Sequence, residues 1–113
     1  FGLLGHALAL KAGTSYENLV SRRILMPLGM RETTISLSPP LGARLAPGHD
    51  GEGKVVPNWD LPTLAGAGAL RSTALDMLTY LAANLDTTAT PLARGLRETL
   101  GWMDAAGPDY GRA

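Results

Sequence analysis

The most informative stretch of the chain is Gly66-Ala67-Gly68-Ala69-Leu70-Arg71-Ser72-Thr73-Ala74-Leu75-Asp76-Met77, in which small residues lead into a helical pattern. Thr73 and Asp76 have the spacing of a capping box, in which a hydroxyl accepts a hydrogen bond from a backbone N–H three residues later. Apolar residues at helical spacing follow, namely Met77, Leu78, Leu81 and Leu85. The stretch therefore predicts a glycine-rich turn and, directly after it, a helix with one apolar face.

Two further helices are predicted upstream of this stretch. Residues 2–12 carry apolar side chains at helical spacing. Thr14 then has the position of an N-cap, with Glu17 as its capping-box partner. Pro27 lacks a backbone N–H, so the second helix is predicted to end near Leu25.

The remaining segments predict a hairpin, a helix and the start of a strand. Between residues 29 and 63 five prolines exclude long helices. Residues 51–53, Gly-Glu-Gly, predict the turn of a short hairpin. Further along, Thr90-Pro91 predicts a helix start, because Pro suits the first helical position. Residues 101–103 are interpreted as the start of a strand.

Composition excludes several classes of protein. The chain has 113 residues, and 10 basic residues balance 10 acidic ones, which leaves no basic surplus for nucleic-acid binding. There are no cysteines and two histidines, so no metal-binding spacing occurs and no cofactor is expected. The apolar residues 1–10 are too few to cross a bilayer, so no membrane segment is expected within this chain.

No short motif in the chain carries complete catalytic chemistry. Residues 48–55 match a phosphate-binding loop except at Val55, which has no hydroxyl for a magnesium ion. Residues 66–68 begin a dinucleotide fingerprint, but Arg71 occupies the place of its third glycine. None of the serines is followed three residues later by lysine or lies in a Gly-x-Ser-x-Gly turn. We therefore expect no catalytic residue in this chain.

Three stretches, in this order and spacing, resemble the interior of the serine β-lactamase and penicillin-binding-protein-like family, on its class C and esterase side. The first is Phe1-Gly2-Leu3-Leu4-Gly5 with Tyr16-Glu17 and, further on, Ile24-Leu25-Met26-Pro27-Leu28-Gly29-Met30. The second is residues 66–77, and the third is Leu100-Gly101-Trp102.

The resemblance implies an α+β fold, of which this chain is a mostly helical portion that lacks most of the antiparallel sheet. Residues 1–113 would form a partial domain, truncated at both ends. The family's Ser-x-x-Lys and Tyr-x-Asn motifs would precede Phe1, and its Lys-Thr-Gly or His-x-Gly strand would follow Ala113. The letters Tyr-x-Asn at 16–18 and His-x-Gly at 49–51 occur out of this order and are not the family motifs.

By the same resemblance, Gly66, Ala67 and Gly68 would border the substrate cleft. The alternative is that glycine is required there only because it permits the turn. The parent protein would hydrolyse a small-molecule β-lactam, peptide or ester through an acyl-enzyme on serine. Two alternatives remain open: a non-catalytic binding or scaffolding protein of the same fold, and an independent small helical interaction module.

Overall fold

The computed structural model describes residues 1–85 and 90–105, and the chain is mainly helical. Its elements in order are α1 (Gly2–Lys11), α2 (Tyr16–Val20), a π-helical turn (Ser21–Leu25), α3 (Met26–Leu28), α4 (Pro39–Gly42), β1 (Gly48–His49), β2 (Val55–Val56), a 3-10 turn (Ala65–Ala67), α5 (Ala74–Asn84) and α6 (Pro91–Ala105). No helix among these residues is long and apolar enough to span a membrane.

Helix α1 packs closely against the 3-10 turn because its facing residues are small. Gly2, Gly5 and Ala9 are buried on this side of the helix. A Cβ atom built on Gly5 would lie 3.2 Å from the Cα of Gly66, so the two backbones are nearly in contact. Glycine allows an approach that any side chain would prevent. This contact fixes the 3-10 turn to α1.

The second helix starts one residue later than the sequence predicts. Ser15, not Thr14, is the N-cap, and its hydroxyl accepts a hydrogen bond from the backbone N–H of Asn18 at 3.1 Å. The capping-box role of Glu17 is also wrong, because its carboxylate binds a distant loop instead. A cap needs an extended backbone, and Ser15 has it with φ −71° and ψ 156°.

Pro27 does not end this helix at Leu25. The chain passes through the π-helical turn into α3, where Pro27 occupies the first turn and needs no intrahelical N–H partner. The helix ends instead at Gly29, which has a left-handed φ of 73°. The core lies along this segment: Val20, Leu25 and Met30 are buried, and Tyr16, Ile24, Leu28 and Tyr80 pack against them.

The predicted hairpin is confirmed. Strands β1 and β2 pair antiparallel, with Gly48 opposite Val56. The carboxylate of Asp50 accepts hydrogen bonds from the backbone N–H groups of Glu52 at 3.0 Å and Lys54 at 2.9 Å, which closes the turn. Within the described residues this is the only sheet, and it has two strands. The expected fold class, a mostly helical portion with little sheet, is confirmed.

Helices α5 and α6 begin where the sequence predicts. Thr73 caps α5 by accepting from the backbone N–H of Asp76 at 3.2 Å, and Thr90 accepts from the N–H of Ala93 at 3.1 Å. The predicted strand at residues 101–103 is wrong, because α6 continues to Ala105. A strand needs a neighbouring strand to satisfy its backbone, whereas a helix satisfies its own N–H and C=O groups.

Candidate functional site

A cleft of about 720 Å³ is a distinct concave feature of the described residues. One wall is the segment of residues 57–62, of which all but Trp59 line the cleft, and residues 15–17 at the start of α2 line it as well. Residues 35–37, Ala65, Ala69 and Arg71 contribute to the remaining surface. The cleft is thus lined by segments far apart in sequence, and its shape depends on what holds these segments together.

Glu17 joins α2 to the loop of residues 34–36. Its carboxylate accepts hydrogen bonds from the hydroxyl of Thr34 and the backbone N–H of Ile35, each at 2.7 Å. Ser36 donates two more, from its backbone N–H at 2.8 Å and from its hydroxyl at 2.7 Å. Burial alone would raise the pKa of Glu17, but these bonds, led by that from the Ser36 backbone, lower it from 4.5 to about 2. Glu17 is therefore ionised and fully engaged, and it is unsuited to be a general base.

Arg71 joins the same loop to the wall formed by residues 57–62. Its backbone pairs with that of Thr34 through two hydrogen bonds of 2.8 and 3.0 Å. Its guanidinium donates to the carbonyl oxygen of Ile35 at 2.7 Å, and to the carbonyl oxygen of Trp59 at 3.3 Å. It also forms an ion pair of 2.8 Å with Asp60. The Arg71 side chain is 18% exposed and that of Asp60 is 86% exposed, so a largely covered guanidinium binds an open carboxylate.

A third polar cluster fixes the start of α5. Asp76 is buried, and its carboxylate accepts from the backbone N–H of Glu32 at 2.9 Å and from the hydroxyl of Thr33 at 2.7 Å. Because the Thr33 hydrogen is used in that bond, the hydroxyl of Ser72, 2.7 Å away, donates to the Thr33 oxygen. Asp76 thus binds residues more than 40 positions earlier, in addition to the helix start predicted from sequence.

The predicted cleft residues Gly66, Ala67 and Gly68 lie together at the 3-10 turn, between these anchoring points. Gly66 faces α1, where an added Cβ would lie 3.2 Å from the carbonyl oxygen of Phe1. Gly68 has a φ of 136°, a conformation that favours glycine, and an added Cβ there would meet no atom within 4 Å. The side chains that line the cleft at this turn are those of the neighbouring Ala65 and Ala69.

The arrangement is suited to binding rather than to breaking a bond. The hydroxyl of Ser15 is used as an N-cap, and that of Ser36 binds Glu17. In the part of the chain that the structure describes, no group of three or more His, Asp or Glu side chains could hold a metal ion. His49 lies in strand β1 of the exposed hairpin, away from the cleft lining. These residues contribute walls and anchoring bonds, and no nucleophile paired with a base.

Sequence reasoning did not identify Glu17 and Arg71 as organisers of this cleft. Glu17 was interpreted as a local capping residue, and Arg71 only as the residue that breaks a dinucleotide fingerprint. The available signal was the concentration of hydroxyl residues at Thr33, Thr34 and Ser36, which offer donors to a carboxylate. Spacing along the chain does not indicate which carboxylate they bind.

Comparisons with known proteins give a consistent result. The family model described as Beta-lactamase matches residues 1–110. A human β-lactamase-like protein is 42% identical over 78 residues, which cover 68% of this chain and 16% of that protein.

Solved structures show the same similarity. A D-alanine carboxypeptidase from Burkholderia cenocepacia superimposes with a TM-score of 0.74 at 29% identity, over 84% of this chain and 28% of that one. A β-lactamase/D-alanine carboxypeptidase from Pseudomonas syringae gives 0.73 at 23% identity, over 84% of this chain and 27% of that one. The chain therefore spans less than a third of each of these relatives.

Proposed function

The chain belongs to the β-lactamase family, and from this premise we propose that it is an interior segment of a serine hydrolase that works through an acyl-enzyme. In this proposal the segment supplies a wall of the substrate cleft and the anchors that hold it. The serine nucleophile and its lysine partner would come from other parts of the protein, because no Ser-x-x-Lys occurs here.

The observation that carries the proposal is the anchoring of the turn that contains Gly66, Ala67 and Gly68. The turn lies against α1 on one side, and on the other it leads into Arg71 and the capped start of α5. A substrate-bordering loop must be held rigidly, since small displacements of bound substrate cost much of the rate. At Gly68 the space is open, which leaves room for a bulky substrate side chain.

The substrate is proposed to be a β-lactam, a peptide or a simple ester. All three contain an acyl carbon that a serine can attack to form an ester intermediate, which water then hydrolyses. The similar proteins include one named as a D-alanine carboxypeptidase and one named for both β-lactamase and carboxypeptidase activity. The proposal requires no metal and no organic cofactor.

Hydrolysis assays on two proteins test this function. The 113-residue chain alone is expected to hydrolyse neither a chromogenic β-lactam nor a short-chain ester. The full-length protein is expected to hydrolyse at least one, and to lose that activity when the serine of its Ser-x-x-Lys is replaced by alanine. Turnover by the chain alone would contradict the proposal. Substrate binding without turnover by the full-length protein would favour a non-catalytic binding protein.

The exposed apolar faces of the helices support the view that other parts of the protein cover them. On α5, Leu75 is 71% exposed, Leu78 62% and Leu81 59%. Burying such a side chain stabilises a fold by about 1.5–3 kcal/mol, so several uncovered ones are comparable with the roughly 5–15 kcal/mol stability of a domain. The chain alone is therefore expected to melt without a sharp cooperative transition. A sharp transition would favour the independent helical module instead.

A further inference from the structure

The cleft wall of residues 57–62 has little support of its own. These residues form neither helix nor strand. No backbone–backbone hydrogen bond of the described residues involves residues 57–63. Trp59 is 77% exposed and the Asp60 side chain 86%, so the wall is not held by burial in a core either. A segment of this kind opens easily unless side chains from elsewhere hold it.

In the described part of the chain, the hydrogen bonds to this wall come from the side chain of Arg71. The guanidinium reaches the carbonyl oxygen of Trp59 and the carboxylate of Asp60 with one nitrogen. With its other nitrogen it binds the carbonyl oxygen of Ile35, in the loop that Glu17 holds. A planar guanidinium can bind several acceptors at once in a fixed geometry, which a lysine ammonium cannot reproduce.

Arg71 itself is firmly placed. Its backbone pairs with Thr34, and the adjacent Ser72 and Thr73 belong to the polar cluster at the start of α5. The guanidinium thus extends from a fixed backbone to a wall to which the described residues offer no other hydrogen bond. Because the backbone of Arg71 is held in place, its side chain can hold the loop that it binds in a fixed position relative to the rest of the fold.

From these contacts we infer that Arg71 is a positioning residue, which holds residues 57–62 as a wall of the cleft and thereby sets the size of substrate that the site admits. The second half of this inference rests on the proposed hydrolase function. The first half concerns the wall alone and can be tested separately. Arg71 touches no reacting atom in this scheme and acts through the wall.

Limited proteolysis of the full-length protein tests the first half. Cleavage by chymotrypsin after Trp59 requires residues around it to leave the wall, and mass spectrometry identifies the cut. Arg71→Ala is expected to accelerate this cleavage about tenfold, since bonds to a charged donor are lost and local opening becomes easier. Arg71→Lys should give an intermediate rate, because one ammonium can replace only part of the fork.

Two controls separate the wall from general loosening. Arg44→Ala removes another arginine that forms an exposed ion pair with Glu32 and does not contact the wall, and it should leave the rate unchanged. Cuts within α5 report loss of the whole fold. The inference would be overturned if cleavage within α5 and cleavage after Trp59 were accelerated equally in both Arg71→Ala and Arg71→Lys. It would also be overturned if Arg71→Ala left the rate of cleavage after Trp59 unchanged.

Steady-state kinetics of the same variants test the second half. A displaced wall should change KM for a bulky ester about three- to tenfold and leave kcat, and KM for acetate esters, nearly unchanged. The reason is that contacts between the wall and a bulky group stabilise the bound substrate and the transition state equally. A purely structural role would lower the activity on both esters together, and that result would overturn the substrate-size assignment. If only β-lactams are hydrolysed, the same comparison is made between a β-lactam with a large side chain and one with a small side chain. If the wild-type protein hydrolyses neither an ester nor a β-lactam, the proposed function fails, whereas the proteolysis result on the wall still stands.

Discussion

The close approach of α1 to the 3-10 turn predicts that Gly5→Ala destabilises the protein. A Cβ on Gly5 would lie 2.9 Å from Cε2 of Tyr16 and 3.2 Å from the Cα of Gly66. Both distances are shorter than ordinary van der Waals contact, so the ring or the helix must move. Tyr16 packs against the buried core that includes Val20, and a displaced ring therefore loosens the core as well.

The magnitude follows from two opposing contributions. Overpacking of this kind costs about 1–3 kcal/mol. Replacing glycine by alanine inside a helix stabilises it by roughly 1 kcal/mol. Gly95→Ala in α6 is the matched control, because it gains the helical contribution and its Cβ would meet no atom within 4 Å. The difference between the free energies of unfolding of the two variants removes the helical contribution and leaves the cost of the close contacts at Gly5, about 1–3 kcal/mol.

Urea unfolding of both variants and of wild type, all in the full-length protein, measures this difference. Gly95→Ala should be as stable as wild type or more stable, and Gly5→Ala should be less stable than Gly95→Ala. The comparison requires that the free energy of unfolding depend on urea concentration with the same slope in all three proteins. Equal stabilities of Gly5→Ala and Gly95→Ala would refute the claim that the two backbones meet at Gly5.

Three further predictions concern the polar anchors and the turn. Glu17→Gln should reduce the free energy of unfolding by about 1–2 kcal/mol above pH 5. This is less than the about 3 kcal/mol that corresponds to the lowering of the Glu17 pKa, because the carboxylate is partly exposed and solvent weakens its interactions. Because the pKa of Glu17 is about 2 when folded and 4.5 otherwise, this loss should shrink as the pH falls from 5 to 2; a loss independent of pH in this range would contradict the low pKa. Asp76→Ala leaves the buried hydroxyl of Thr33 and the partly buried N–H of Glu32 without an acceptor. It should cost roughly 2–4 kcal/mol in urea unfolding, against about 1 kcal/mol for removal of the Thr73 cap; similar costs would show that the Asp76 carboxylate contributes no more than an ordinary helix cap. Gly68→Ala and Gly68→Trp should lower stability equally, by about 1–2 kcal/mol, because the strain is in the backbone and the space around an added side chain is open. If Gly68 borders the substrate, only Gly68→Trp should alter the ratio of kcat/KM for a bulky ester to kcat/KM for a small one. An unchanged ratio would show that the role of Gly68 is limited to the turn.

Local features were predicted well from the sequence. The start of α5 at Thr73, the start of α6 at Pro91 and the hairpin around residues 51–53 all agree with the structure. The family resemblance is confirmed as well, because the β-lactamase family model matches residues 1–110. Errors of one residue, as at the Ser15 cap, arise because neighbouring hydroxyls suit a cap equally and only the backbone conformation distinguishes them.

The sequence by itself determined the starts of α5 and α6 and the hairpin turn, because each depends on residues within a few positions of one another. It also determined the family, through the order of several such short stretches. Tertiary structure alone decided where the charged side chains go. Glu17 binds a loop up to 19 residues away, Arg71 reaches back 36 residues to Ile35, and Asp76 accepts a bond from Glu32, 44 residues away. A carboxylate or guanidinium can serve a neighbouring cap or a distant loop with similar chemistry, and only the packing of the helices brings the distant donors and acceptors within hydrogen-bonding distance.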